Sequence, residues 1–163
     1  MDLDNIIDIV SDKAIFEINY FKNAKDTANS SLVFNLGEPE LETNLARKSG
    51  DYAFRRFKKY LTDQEYFTSN IHFKSIIKIF GYWQLKHREK ILVDGRNNKI
   101  KSKDVLNFIL QGYKITNIRT MNDKSITIKF SNGMELIITG TGDTDSLFLF
   151  FFGDDVFSLC SRC

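Results

Sequence analysis

The pair Cys160 and Cys163 has the two-residue spacing of a redox-active dithiol. In thioredoxin-like proteins such a pair lies at a helix N-terminus, because the helix dipole lowers the pKa of the thiol. Here no residues follow Cys163 to form that helix. A structural zinc site usually needs four ligands, and the two histidines are far away in the sequence. We therefore expect two ordinary thiols and no metal or cofactor, with a disulfide or an intermolecular metal site as the alternatives.

The two histidines are the best candidates for acid–base catalysis. His87 lies in the charged stretch LKHREK, which indicates a solvated side chain. His72 lies in NIHF beside apolar residues, where a structural hydrogen bond is the more common role. Carboxylates are abundant but show no distinctive constellation. The sequence thus contains no catalytic motif, and an uncharacterised enzyme ranks third among the functional hypotheses.

Residues 140–155, GTGDTDSLFLFFFGDD, combine glycine, aspartate and an apolar run. This stretch lacks the third glycine of a dinucleotide-binding loop and the Gly-Lys-Ser/Thr of a P-loop. Asp143 and Asp145 alternate as calcium ligands do, but the glycine and the distal glutamate of an EF-hand loop are missing. The apolar run is far shorter than the roughly 20 residues of a membrane span. We therefore predict a structural turn followed by a strand that is covered on both faces.

The clearest structural pattern is a hairpin in SITIKFSNGMELIIT, residues 125–139. A three-residue loop sets three apolar pairs on one face and one pair of opposite charges on the other. It also gives Gly133 the position at which such loops need a positive φ. The predicted pairs are Phe130–Met134, Ile128–Leu136, Ile126–Ile138 and Lys129–Glu135.

Elsewhere, helical spacing of apolar residues dominates before residue 90, and alternation dominates later. Together these patterns predict one α+β domain over residues 1–163, with N-terminal helices packed on a mainly antiparallel C-terminal sheet. Ser102 is expected to cap the last helix and Gly112 to end it. The predicted helices are 3–21 (with a strand as the alternative over 16–20), one starting near Pro39, 51–61, 71–85 and 102–110. The predicted strands are 31–36, 90–93, 99–100, 125–130, 134–139 and 147–152.

The net charge of +2 is distributed unevenly along the chain. Residues 1–46 carry 3 basic and 9 acidic groups, residues 47–103 carry 15 and 5, and residues 104–163 carry 5 and 7. A basic middle between acidic ends is typical of a polyanion-binding surface on the central segment. The alternative is that segments of opposite charge become neighbours on one folded surface.

Aspartates in the two acidic ends are the candidate contacts for a partner protein. Asp4, Asp8 and Asp12 recur every four residues along the first predicted helix, where like charges repel mildly unless a partner compensates them. Charge of this kind mainly raises the rate and specificity of association. The predicted partner-binding residues are Asp4, Asp8, Asp12, Asp143, Asp145, Asp154 and Asp155.

In size, Ile/Asn/Lys-rich composition, single proline and helices before a meander, the chain resembles the immunity proteins of bacterial contact-dependent and polymorphic toxin systems. The resemblance is one of overall character, since these families share no motif. It implies a non-enzymatic protein that binds and blocks a cognate toxin domain, often a nuclease, one to one. The start MDLDNII shows no targeting segment, so we expect a cytoplasmic location. Because inhibitors of basic nucleases are often strongly acidic and this chain is slightly basic, an acidic patch would have to make the contact.

The competing hypothesis is a nucleic-acid-binding protein that uses the basic segment 47–103. Its cations would contact phosphates, and exposed aromatic residues among them would stack on bases. Phe54 and Phe57 are better explained as core residues, which leaves Tyr52 and Tyr60 for stacking. The cations concerned are Arg47, Lys48, Arg55, Arg56, Lys58 and Lys59.

Overall fold

The structure, a computed structural model, describes residues 2–21, 31–38, 40–41, 71–95, 101–121, 125–140, 148–153 and 155–159. Most of the elements in these residues are strands, and two are helices. In chain order the elements are α1 (Leu3–Val10), β1 (Ile15–Phe21), β2 (Ser31–Leu36), β3 (Glu40–Leu41), β4 (Ile71–His72), β5 (Ser75–Phe80), β6 (Tyr82–His87), β7 (Lys90–Asp94), α2 (Lys101–Leu110), β8 (Ile115–Met121), β9 (Ser125–Phe130), β10 (Glu135–Thr139), β11 (Phe148–Phe152) and β12 (Asp155–Leu159).

Ten of these strands form two five-stranded antiparallel sheets. Sheet I has the order β1-β2-β5-β11-β12, sheet II has the order β7-β6-β10-β9-β8, and β3 pairs with β4 separately. Both sheets contribute residues to one hydrophobic core. Across that core Phe34 of sheet I stacks on Phe130 of sheet II, with ring centroids 6.2 Å apart. The described residues therefore form a mostly-sheet α+β fold, with the two sheets facing each other.

The predicted hairpin is confirmed in type and register. Ile126 lies opposite Ile138, Ile128 opposite Leu136 and Lys129 opposite Glu135. The loop closes with the N–H of Phe130 donating to the carbonyl of Met134 at 3.0 Å, and Gly133 has a φ of 85°. On the outer face the Lys129 ammonium lies 3.4 Å from the Glu135 carboxylate.

The apolar run near the C-terminal end is also confirmed as a buried strand. β11 lies between β5 and β12 in sheet I, and Phe148 and Phe150 on its inner face are completely buried. Leu149 and Phe151 on the other face are buried as well, and Phe152 is mostly buried. Among the residues described, no helix has the length and apolar character needed to cross a membrane.

The helix predicted over 71–85 is wrong. This region contains β4, β5 and β6, and the apolar residues that gave helical spacing alternate between the faces of sheet I. Burial on both faces of β5 blurred the period of two, and its three isoleucines have the β-branched shape that packs well in strands. Gly81, with a φ of 93°, separates β5 of sheet I from β6 of sheet II. Glycine adopts that conformation without the steric cost of a Cβ.

Three further helix predictions need correction. The first helix ends at Val10, and residues 15–21 form β1, so the strand alternative is the right one over that part. The helix expected to start near Pro39 is wrong, because Glu40 and Leu41 form β3. Helix α2 is confirmed, with Gly112 at a φ of 86° just beyond it, but Ser102 lies inside its first turn instead of capping it.

The short strands predicted at 31–36 and 90–93 are confirmed as β2 and β7. The basic helix predicted at 51–61 and the strand predicted at 99–100 lie outside the described residues.

Candidate partner-binding surface

Helix α1 is fixed to the body of the protein by its apolar stripe. Ile6 and Val10 are completely buried in the common core, and the helix lies against β8, the edge strand of sheet II. At its start the carboxylate of Asp2 accepts a hydrogen bond from the N–H of Asn5 at 2.9 Å. This N-cap satisfies one of the helix's free donors, so the exposed side of α1 is presented on a well-anchored element.

The exposed side of α1 carries the predicted aspartates. Asp4 and Asp8 are exposed on one stripe of the helix, and Asp12 follows in the turn beyond it with 77% of its side chain exposed. The one lysine in this part of the chain, Lys13, lies 3.6 Å from the Asp12 carboxylate. An exposed pair of this kind contributes little to stability. We call Asp4, Asp8 and Asp12 the acidic ridge.

Helix α2 is fixed to the edge of sheet I by side-chain hydrogen bonds. Asn107 accepts from the N–H of Ile18 and donates to its carbonyl, both at 2.7 Å. Gln111 donates to the carbonyl of Phe16, also at 2.7 Å. Because Leu106 and Leu110 are completely buried beneath the helix, α2 is held both by apolar contacts and by the polar groups of the β1 edge.

The outward side of α2 is unexpectedly apolar. Phe108 is 91% exposed, and Val105, one turn earlier, is also exposed. Two further exposed aromatic residues, Tyr113 and Phe16, lie where the end of α2 meets the start of β1. We call Phe16, Val105, Phe108 and Tyr113 the α2 patch. Three of these residues are only partly exposed, and the Phe16 ring packs against Phe73 with centroids 5.1 Å apart, so Phe108 is the one whose side chain lies almost entirely in water.

The acidic ridge and the α2 patch meet at one junction. Ala14 forms an isolated β-bridge with Lys114, and next to it the N–H of Ile15 donates to the carbonyl of Tyr113 at 2.8 Å. Asp12 precedes this bridge by two residues and Tyr113 lies one residue from it, so both are within about 8 Å of it along the backbone. Asp12 and Tyr113 therefore lie near one another, together with the exposed Lys114, so this junction carries charges of both signs.

Of the remaining predicted site residues, the structure describes Asp155 alone. Asp155 is exposed at the start of β12, at the edge of sheet I opposite β1. Asp143, Asp145, Asp154 and all six basic residues of the nucleic-acid hypothesis lie outside the described residues, as do Cys160 and Cys163. The structure thus describes the α1 aspartates and Asp155, one residue of the second acidic region proposed from the sequence.

Polar side chains also lie on the second face of sheet I, a cluster that no pattern in the sequence indicated. Lys78 in the central strand β5 is 3% exposed, with Val33 and Leu149 opposite it on the adjacent strands. Nearby, the carboxylate of Glu17 accepts from the amides of Asn19 at 3.2 Å and Asn35 at 3.0 Å. The hydrogen bond from Asn35 to Glu17 joins neighbouring strands of sheet I, so we assign this cluster a structural role.

Metal chemistry finds no support in the part of the chain that the structure describes, where no three His, Cys, Asp or Glu side chains come close enough to share an ion. His87 ends β6 and is partly exposed, in a turn with charged neighbours.

Comparison with known proteins adds no assignment. No protein-family model matches the chain, and no curated protein or solved structure is significantly similar to it. What can be stated is the class: a mostly-sheet α+β protein of two antiparallel sheets, with exposed aspartates on one described helix and exposed apolar residues on the other.

Proposed function

We propose that this chain is a non-enzymatic binding protein, an immunity protein that binds a cognate bacterial toxin domain one to one and blocks it in the cytoplasm of the producing cell. The observation that carries the proposal is the acidic ridge, held on a helix whose opposite side is completely buried. A recognition protein needs a rigid scaffold, complementary charge and a few anchors, and no catalytic group.

The ridge suits the capture of a basic partner. Asp4 and Asp8 lie on one exposed side of α1 and Asp12 lies in the turn after it, and the charges repel each other mildly in the free protein. A cationic surface relieves this repulsion and gains attraction, so its main effect is on the association rate. The chain as a whole is slightly basic, but its net charge does not determine the potential at the ridge. That potential is set by local charge, because charges are screened beyond about 8 Å at physiological salt.

Helix α1 is the N-terminal helix that this proposal requires to pack on the sheets. Helix α1 contributes Ile6 and Val10 to the core that both sheets share, so the ridge is attached to the sheets through α1. A partner bound at the ridge would thus dock against a preorganised surface, which lowers the entropic cost of binding.

The proposal is tested by mixing the purified chain with the C-terminal toxin domain encoded by the adjacent reading frame. We expect a one-to-one complex by light scattering, and an association rate that falls as salt rises. Reversal of Asp8 and Asp12 to lysine should slow association at least tenfold at low salt. The matched control is Glu89→Lys, which reverses an exposed acid in the loop between β6 and β7, at the edge of sheet II opposite β8, and should have little effect.

Failure to form a complex would overturn the proposed function. Retention of RNA or DNA by the unmodified chain, with an affinity that falls steeply with salt, would instead favour the nucleic-acid hypothesis. If the complex forms but neither Asp8→Lys/Asp12→Lys nor the corresponding reversals of Asp143, Asp145, Asp154 and Asp155 change the association rate, the acidic residues are not the steering groups.

A further inference from the structure

We infer that the chain consists of two copies of one structural unit, related by a pseudo-two-fold axis, and that each unit places its last hairpin in the sheet of the other. The first unit comprises α1, β1, β2, β5, β6 and β7, and the second comprises α2, β8, β9, β10, β11 and β12. The pair β3–β4 is an insertion between β2 and β5 of the first unit. This relation is independent of the proposed function, and testing it needs no partner.

The order of the strands is the same in both units. Sheet I contains β1, β2 and β5 of the first unit followed by β11 and β12 of the second. Sheet II contains β8, β9 and β10 of the second unit followed by β6 and β7 of the first. Each unit therefore forms three adjacent strands of one sheet, crosses to the other sheet and adds a hairpin there. Exchange of an identical element between two copies is the arrangement of a domain-swapped dimer.

A constant offset of 100 residues relates the helix and the first strand of the two units. Through residues 4–12 and 15–18, each residue is buried, half-buried or exposed as the residue 100 positions later is. The first strand of each unit also has a β-bulge directly after its first residue, Ile15 in β1 and Ile115 in β8. A bulge is a local feature of one strand, so two facing sheets do not require bulges at equivalent positions.

The hairpin at the end of each unit also matches. β6 and β7 are joined by a two-residue loop that starts at Arg88, with a φ of 50°, and β11 and β12 by a two-residue loop that starts at Gly153, with a φ of 59°. Leu85 of the first hairpin and Phe150 of the second are completely buried, each paired with the third strand of the opposite unit. The two hairpins therefore fill equivalent places in the two sheets.

The pseudo-two-fold axis passes through the bridge between Ala14 and Lys114. These residues are 100 positions apart and so are equivalent, and a two-fold axis requires every other contact across it to have a reciprocal. The helices meet this condition, because α1 packs against β8 and α2 against β1. The main chain meets it too. The carbonyl of Ala14 accepts from the N–H of Gly37, directly after β2, at 2.8 Å. The carbonyl of Lys114 accepts from the N–H of Ser131, directly after β9, also at 2.8 Å.

The equivalence also shows where the two units differ. Positions that are buried on α1 hold apolar residues on α2 as well. The exposed Asp8 and Asp12 correspond to Phe108 and Gly112, which carry no charge. The units thus share the residues that build the core and differ on their outer sides, and of the two equivalent helices α1 alone carries the acidic ridge.

Pseudo-two-fold symmetry fixes the length of chain needed to connect the units in the opposite order. In the original order, residues 95–102 connect Asp94 to Lys103 and number eight. By strand register and the 100-residue offset, the equivalents of these two residues are Ser158 and Leu3. Because symmetry makes the two distances equal, a connection of eight residues from Ser158 to Leu3 should close without strain.

The experiment is a circular permutant of the full chain with this connection. It starts at Asn98, ends at Asn97 and joins Cys163 to Met1 through one glycine, so that residues 159–163, the glycine and residues 1–2 make the connection of eight. We expect a monomer with the circular dichroism of the original chain. Its midpoint of urea denaturation should lie within about 0.5 M of the original value.

The matched control is the same permutant with a join of about 20 glycine and serine residues. The extended length of that join, about 70 Å, exceeds the diameter of a domain of this size, so it closes whatever the distance between the ends. If the control permutant folds and the one-glycine permutant does not, the ends of the units are not equivalent and the pseudo-two-fold relation is overturned. If neither permutant folds, the order of the units is not interchangeable, which overturns the relation as well.

A second variant tests the exchange of hairpins. A protease site is placed at residues 96–99 of the full chain, and the folded protein is cut there. The two fragments should stay together through gel filtration, because each completes the sheet of the other. Fragments that separate as two folded units would overturn the exchange.

Discussion

The side chain of Asn107 binds the main chain of Ile18 as a neighbouring strand would. Its carboxamide oxygen accepts from the N–H of Ile18 and its nitrogen donates to the carbonyl of the same residue, at 2.7 Å each. Ile18 lies on β1, the edge of sheet I. Edge strands expose main-chain groups that can pair with another chain, and here a helix side chain occupies two of them.

Replacement of Asn107 with leucine should therefore destabilise the protein and free this edge. Two hydrogen bonds of about 1 kcal/mol each are lost, so we expect the free energy of unfolding to fall by about 2 kcal/mol. The opened edge should also increase self-association. Urea denaturation and light scattering measure the two effects. Asn5→Leu, at an exposed position on α1, is the control; an equal loss in both variants would mean that the contacts with Ile18 do not matter.

A second prediction concerns Gly95, which follows β7. A Cβ at this position would lie 2.8 Å from Cε2 of the Trp83 ring and 2.9 Å from the Trp83 carbonyl oxygen. Trp83 is buried and the Gly95 N–H donates to its carbonyl, so neither group can move freely. Gly95→Ala should cost about 1–3 kcal/mol of unfolding free energy, the range of an overpacked core.

Gly153→Ala separates this steric clash from the general cost of replacing glycine. A Cβ there meets nothing within 4 Å, although the φ of 59° would strain an alanine. We expect a loss of about 1 kcal/mol from the left-handed backbone alone. Thermal or urea unfolding measures the loss of unfolding free energy in both variants. A larger loss for Gly153→Ala than for Gly95→Ala would refute the packing argument.

The hairpin between β6 and β7 offers a stabilising change. Arg88 and Glu89 form a two-residue loop, with His87 opposite Lys90, and have φ values of 50° and 66°. Such a loop favours Asn-Gly, because side chains other than Asn, Asp and Gly are strained there. The double variant Arg88→Asn/Glu89→Gly should raise the free energy of unfolding by about 1–2 kcal/mol.

Lys90→Asn serves as the control for that variant. Lys90 is on the same hairpin and is also exposed, but it belongs to the ladder and its φ is not positive. We expect that Lys90→Asn does not raise the midpoint of urea denaturation. If the loop variant is no more stable than the original chain, the positive φ values of Arg88 and Glu89 do not destabilise the loop measurably.

Helix α1 provides a prediction that links stability to the acidic ridge. Asp2→Ala removes the hydrogen bond to the Asn5 N–H, and the loss of an N-cap typically costs about 1 kcal/mol. Asp8→Ala, in the last turn, removes an equal charge without a cap and should cost much less. Urea denaturation compares them, and equal effects would show that Asp2 acts through charge alone.

The sequence predicted those elements in which one pattern dominates. The hairpin register followed from three apolar pairs that fall on one face together with Lys129 and Glu135 on the other, and no other loop length satisfies all four pairs. By contrast, sheet I is buried on both faces, as Val33 and Leu149 beside Lys78 show. There the alternation disappears, and the isoleucines of β5 fit a helix as well as a strand.

The candidate surface was predictable only in its acidic half. A four-residue repeat places Asp4 and Asp8 on one side of a helix, and the apolar repeat of Ile6 and Val10 defines the opposite side. The stretch 105–110, VLNFIL, contains five apolar residues in six, so the sequence does not say which of them faces out. Phe108 is exposed because Asn107, its neighbour on α2, is bonded to the edge strand β1 and so sets the orientation of the helix. That contact joins residues 89 positions apart in the sequence.

The most direct test of the account is the survival of cells that express the toxin domain encoded beside this chain. Colony counts are compared with and without co-expression of the protein at equal toxin levels. The account predicts that the domain alone prevents growth, that the intact protein restores it, and that the Asp8→Lys/Asp12→Lys protein restores it less well at low expression. Normal growth with the domain alone, or no rescue by the intact protein, would contradict the account.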